Sequence, residues 1–214
     1  WDNSWYTSSA PNNWDGVYLF VKYRNCASTN AWSHAILSNN ISDHSVDSPL
    51  VVDNYKIADG RGVVIRRSSP GYGNVNVTVK LKLVTPAPGA SYDFLVFGIE
   101  MVWIPQGPFY LGDGTSTYTI TNGANNGPFY ISSEGSIPRG TGSTSYIYCH
   151  SNSATVPASI PSAYPKGYNG FYVMKYEITQ GQYVAFLNTL SSDQATNRGF
   201  TINSYRVHIG GSWP

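Results

Sequence analysis

The chain has 214 residues, of which only 12% are charged, against a usual share of about 25%, and its net charge is +1. That balance excludes electrostatic capture of nucleic acid, and no run reaches the roughly 18 apolar residues of a membrane span. Hydrophobic residues make up 41%, enough for a core, and 17 Tyr and 6 Trp in so weakly charged a chain point to aromatic strands joined by polar loops.

Residues 1–90 read as an all-β unit. In Gly16–Arg24, Val17, Leu19, Val21 and Tyr23 alternate onto one face. Further strands are expected at His34–Leu37, Val51–Ile57 and Gly62–Arg67. The most regular alternation is Val75–Val84, with Val75, Val77, Val79, Leu81 and Leu83 facing one way. Turn residues punctuate these runs at Ala10–Asn13, Asp59–Gly62 and Ser69–Gly73, which predicts a β-sandwich. Thr85-Pro86-Ala87-Pro88-Gly89-Ala90 makes a poor strand and marks the boundary to a second domain, 91–214.

That domain opens with an apolar run, Tyr92–Ile104, expected to be buried in its second half and to stop at Pro105-Gln106-Gly107-Pro108. From there to Lys166 the only charges are Asp113, Glu134 and Arg139. Short strands are expected at Tyr118–Thr121 and Phe129–Ser132, and Thr141–Ser162 is a Ser/Thr-rich loop. Phe171, Val173 and Tyr176 then form a strand that leads into the one expected helix. Thr179 is its N-cap, Gln182 completes a capping box, and Tyr183, Phe186, Leu187 and Leu190 share one face.

Two of these segments carry a family resemblance. Glu100-Met101-Val102-Trp103-Ile104-Pro105-x-Gly107-x-Phe109-x-Leu111-Gly112 resembles the opening of the formylglycine-generating-enzyme (sulfatase-modifying factor) domain. Phe171-x-Val173-x-Lys175-Tyr176-Glu177-Ile178-Thr179-x-x-Gln182-Tyr183-x-x-Phe186-Leu187 resembles its first strand–helix unit. The resemblance covers about residues 97–214 and implies a C-type-lectin-like fold present in its N-terminal portion. It places the family's copper-binding cysteine pair and calcium-binding segments in a C-terminal half that these residues do not include. Trp1-Asp2-Asn3-Ser4-Trp5, Asn13-Trp14-Asp15, Phe20-Val21-Lys22-Tyr23-Arg24 and Trp32-x-His34-Ala35 resemble a β-rich region that precedes such domains in some secreted bacterial proteins.

Sites of chemistry are sparse. Cys149-His150 lacks the second ligand pair of a zinc site, and Asp43, His44, Asp47 and Asp53 lack the spacing and glycine of a calcium loop. None of His34, His44, His150 and His208 accompanies a nucleophile elbow. Glu100 and Glu177 are assigned to anchoring within the fold. No catalytic, cofactor-binding or metal-binding residue is therefore expected, and no cofactor. Cys26 and Cys149 have three open outcomes: a bridge within the chain, a bridge between subunits, or free thiols. Trp1, Trp5, Tyr6, Trp14 and Tyr18 either present faces for stacking on sugar rings or fill the sandwich.

The expected function is a secreted, non-catalytic structural module. It would self-assemble with copies of itself into an extracellular filament, after removal of an export signal ahead of Trp1. Its assembly surface would be Trp1, Trp5 and Tyr6 at one end and Tyr205, Val207, Ile209 and Trp213 at the other. A fragment of a formylglycine-generating oxidase and a glycan- or surface-binding lectin-like module are the alternatives.

Overall fold

The computed structural model describes residues 12–27, 32–55, 59–71, 73–116, 119–149, 158–191, 193–194 and 197–198, with the backbone alone of 201–202 and 205–206. The chain is mainly β, with a single α-helix among the described residues. It divides into two compact units: residues up to Val102 together with those from Val173 onward, and Trp103–Tyr172 between them. This division differs from the expected 1–90 and 91–214. The physical reason is strand pairing: the run that opens the second half is hydrogen-bonded along its length to the first strand.

That first strand, β1 (Asp15–Asn25), is followed by β2 (Ser33–His34), β3 (Ser45–Val46), β4 (Leu50–Asp53), β5 (Val63–Arg67), β6 (Val79–Lys80) and β7 (Tyr92–Ile104). β1 lies between β7 and β5. Its antiparallel ladder with β7 runs from Asp15 opposite Val102 to Asn25 opposite Tyr92, and its ladder with β5 from Gly16 opposite Arg66 to Leu19 opposite Val63. The expected face is the one that packs: Val21 is buried with Ala35, Leu37, Leu50, Val63 and Ile65, and Leu19 and Tyr23 border that cluster.

Val75–Val84 is not the long strand its pattern predicts. Val75, Val77, Val79, Leu81 and Leu83 do pack on the core, but only β6 pairs, with β3, alongside a single bridge from Leu83 to Leu37. The rest of its backbone is satisfied by loops and side chains. The Thr78 N–H donates to Asp47, the Lys82 N–H donates to His44 Nδ1, and the Lys82 carbonyl accepts from Ser38 N. Alternation here records burial, and a ladder also needs a partner strand.

In the second unit, β8 (Phe109–Leu111) pairs with β10 (Phe129–Ile131), β9 (Ile120–Asn122) with β12 (Ile147–Cys149), and β11 (Ile137–Pro138) with β13 (Ser159–Ile160). Phe129, Ile131, Ile137 and Ile147 form its core, with Phe109, Leu111, Ile160 and Tyr168 against them. Gly112 turns the chain at φ +85°, and an added Cβ would sit 1.9 Å from the Ile120 carbonyl, so only glycine fits there.

The chain returns to the first unit through β14 (Phe171–Met174), which neighbours β7 and completes the sheet order β14-β7-β1-β5-β4. Helix α1 (Gln180–Leu187) begins at the expected N-cap: Thr179 accepts from Gln182 N, and the Gln182 side chain accepts from Thr179 N. It stops short of Leu190, because Thr189 N and Leu190 N donate to Phe186 and Leu187 in a tightened last turn. Leu187 is fully buried, while Tyr183, Phe186 and Leu190 are half-buried. A last pair, β15 (Thr201–Ile202) and β16 (Tyr205–Arg206), is antiparallel.

Because the capping box satisfies two otherwise unpaired helix N–H groups, Thr179→Ala should destabilise the first unit by about 1 kcal/mol. Chemical denaturation monitored by circular dichroism checks this; an unchanged midpoint would show that the cap contributes nothing.

Candidate functional site

The surface that the fold leaves open is on β7. This strand has thirteen residues and β14 has four, so most of one edge of β7 has no strand partner among the described residues. The short pairing lies at the Glu100 end, where Lys175 N donates to the Glu100 carbonyl. The free edge therefore falls over the earlier part, Tyr92–Gly98. The side chains there are apolar and uncovered: Phe94 is 47% exposed and Val96 is 65% exposed. In the antiparallel register Val96 stands opposite Val21 and Phe94 opposite Tyr23, so both lie on the core face of the sheet. The core layer ends at β1 and does not extend over them. The sequence predicts burial only for the second half of this run, and there it holds only in part. Its later part, with Met101, Val102 and Trp103, is half-buried.

On the opposite face, Phe97 stacks on Phe20 at 5.0 Å, and Phe20 stacks on His34 at 5.7 Å. Beside them stands Lys22, a residue the sequence reading passed over. It is 7% exposed, and its Nζ donates to Thr189 Oγ1 at 2.8 Å and to the Thr189 carbonyl at 3.3 Å. The Phe186 ring lies 5.9 Å away. Among the described residues no carboxylate pairs with this amine, and burial pulls its pKa down from the usual lysine value. At the far end of β1, Lys175 bonds Asp15 at 2.7 Å. Burial works against the Lys175 ammonium, the Asp15 bond works for it, and its pKa ends above the ordinary value.

Several of the residues singled out in the sequence have structural partners. Asp43 accepts from Ser38 Oγ, Asp47 from Thr78 N, and Asp53 pairs with Arg66. The His44 ring bridges Lys82 N and the Ser38 carbonyl. Trp14 lies 4.8 Å from the Arg66 guanidinium, and the Tyr18 ring packs on Gly62. Glu100 is exposed and Glu177 is exposed. Cys26 and Cys149 are both free thiols. Partial desolvation, and then the Asp93 carboxylate that accepts its proton, push the exposed Cys26 thiol up, the reverse of an activated nucleophile. Cys149 lies 3.7 Å from Arg139 Nη2. Trp1, Trp5, Tyr6, His150, Val207, His208, Ile209 and Trp213 lie outside the described residues, and Tyr205 is described only by its backbone in β16.

Among the described residues no group of three or more His, Cys, Asp or Glu is placed to hold a metal ion, and no helix is long and apolar enough to cross a membrane. No protein-family model, curated protein or solved structure matches the chain.

The depressed Lys22 pKa has a thermodynamic consequence. The unfolded chain, whose lysine titrates near 10.5, holds this proton to higher pH than the folded one does. Stability should therefore rise with pH between the folded value and 10.5, and the penalty for the buried ammonium should be full below that window. Lys22→Met should flatten this alkaline rise while folding at least as well at neutral pH, since Thr189 Oγ1 keeps its own bond to the Phe186 carbonyl. Denaturation across alkaline pH for both chains checks it; identical slopes would remove Lys22 from the account.

Proposed function

We propose that the chain is a secreted, non-catalytic structural module that polymerises with copies of itself outside the cell. The observation that carries this reading is the β7 edge that has no strand partner among the described residues, with Phe94 and Val96 exposed beside it. An unpaired row of N–H and C=O groups flanked by apolar side chains is a template for one more strand. Tyr205, Val207 and Ile209 alternate with Arg206 and His208, the pattern of a strand with one apolar face. Supplied by a neighbour, such a segment would complete the edge. Joining this segment of one copy to the β7 edge of the next is a head-to-tail contact, which propagates when it does not close. A net charge of +1 raises little long-range repulsion against stacking.

In this reading the first part is sandwich-like and the part from about residue 97 is the N-terminal portion of a formylglycine-generating-type, C-type-lectin-like domain. Its two motif segments support that: Lys175 N bonds the Glu100 carbonyl, and the Tyr172 ring lies 5.0 Å from that of Trp103. A Cβ on Gly170 would come within 2.4 Å of Trp103, which accounts for the glycine that opens the second segment.

Sedimentation and electron microscopy of the purified chain test the proposal. The unaltered chain should form filaments with little dependence on salt, because apolar burial and backbone pairing are weakly screened. Val96→Lys, Phe94→Lys and deletion of residues 205–214 should each leave a folded monomer. A chain that stays monomeric at high concentration, or edge variants that still polymerise, would overturn it.

A further inference from the structure

We propose that the second unit carries a binding cleft for a neutral saccharide, beside β10 and open to the rings on the outer face of the β8–β10 sheet. A cleft of about 500 Å³ opens there, within the usual size of small-ligand sites. Two aromatic rings dominate it. Tyr110 and Tyr130 stand opposite one another in the β8–β10 register, with ring centroids 4.8 Å apart and planes inclined at 43°. They are 67% and 46% exposed, an unusual state for two adjacent aromatic rings. Around them the wall carries hydroxyls from exposed Ser132, Ser133, Thr144 and Ser145.

No charged side chain lines the cleft among the described residues. A phosphate or carboxylate ligand would find no counter-charge, and a cationic one no carboxylate. What remains is a ligand with an apolar face and an uncharged hydrogen-bonding rim. A pyranose ring has that form: its C–H face lies on an aromatic ring, and its hydroxyls exchange bonds with Ser and Thr. A proline-rich peptide also docks on aromatic ridges. It would use the tyrosines and leave most of the hydroxyl wall unengaged, so the saccharide is favoured.

The platform is already built. The inner face of the same two strands is core: Phe129 and Ile131 are buried against Phe109 and Leu111. Next to the cleft Asn122 is 6% exposed, and its side chain accepts from Ala124 N and Asn125 N and donates to the Gly127 carbonyl. Rings held on a packed sheet lose little freedom on binding.

The test is titration of the full 214-residue chain with neutral oligosaccharides of the glucan, mannan, galactan and xylan types, followed by calorimetry and NMR. At least one should bind, with affinity unchanged between low and high salt. Tyr110→Ala and Tyr130→Ala should each weaken it by roughly two- to tenfold, the scale of one aromatic contact, and the double variant should lose it. Tyr176→Ala, an exposed tyrosine in the other unit, should leave it intact. Should an alanine variant misfold, Ser132→Trp blocks the cleft from an exposed position and Tyr130→Phe keeps the ring; the first should abolish binding and the second retain it. Failure to bind any of the four classes, binding that survives Ser132→Trp, or tyrosine-dependent binding of a proline-rich peptide with no saccharide bound would each overturn the proposal.

Discussion

The first unit depends on β1 being hydrogen-bonded along both edges and packed on both faces at once. Its backbone is held by β7 on one side and by β5 and β2 on the other. One face, through Val21, belongs to the apolar core. The other, through Lys22, receives the end of helix α1 across 167 residues of sequence. Asp15 at the start of the strand is 2% exposed and is held by Lys175, so the segment after β14 is tied to β1 by an ion pair whose carboxylate is buried while its ammonium side chain keeps 22% exposure. Such a pair adds little net stability, because the carboxylate must leave water to form it. Removing one partner would strand the other, which fixes the register. Late segments of the chain are thereby specified by its first strand, and two units result instead of a sequential pair of domains.

A good part of this was legible in the sequence. Residues that alternate and also have a long partner announced themselves, on the core face of β1 and along the full extent of β7, and short β10 was legible from its apolar residues alone. The Thr179–Gln182 box was readable because capping is local chemistry. Three things were not. The pattern of Val75–Val84 reports a buried face and is silent on whether a partner strand exists. The openness of Phe94 and Val96 depends on where the core layer ends, a property of the whole sheet. Lys22 looked like an ordinary outward position of an amphipathic strand, since nothing nearby in sequence shows a helix covering it. The cleft did leave a trace, in Phe109-Tyr110-Leu111 and Phe129-Tyr130-Ile131, where a tyrosine between two apolar residues twice marks an outward ring. Pairing the two rings needed the register.

The scarcity of charge from 105 to 169 has a structural counterpart. The two carboxylates in the middle of that stretch hold turns. Asp113 accepts from Ser116 Oγ, Ser116 N and Thr115 N, and these bonds hold its carboxyl at about 2. Glu134 accepts from Asn169 N and Lys166 N, which lower its pKa in that order. Asn122 does the same work without charge. Polar side chains bonded to backbone stand in for longer secondary structure, which lets short two-stranded sheets stay ordered. A surface built this way is neutral and rich in hydroxyls, and that is the chemistry the cleft presents.

The two sides of the main sheet are finished differently. β4, at one end, is only four residues long, follows Pro49, and ends in Asp53 paired with Arg66. Short length, proline and charge are the usual means of keeping an edge from pairing with another chain. The uncovered edge of β7 has none of these along Phe94-Leu95-Val96; its flanking charge, Asp93, is already neutralised by Arg24 at 2.7 Å. A monomer selected only for solubility would gain from a lysine at Val96, where the side chain is 65% exposed and supports no core contact. One sheet that blunts one edge and leaves the other apolar and open has two edges under different constraints. An edge left open and apolar among the described residues is the template that the proposed self-assembly requires.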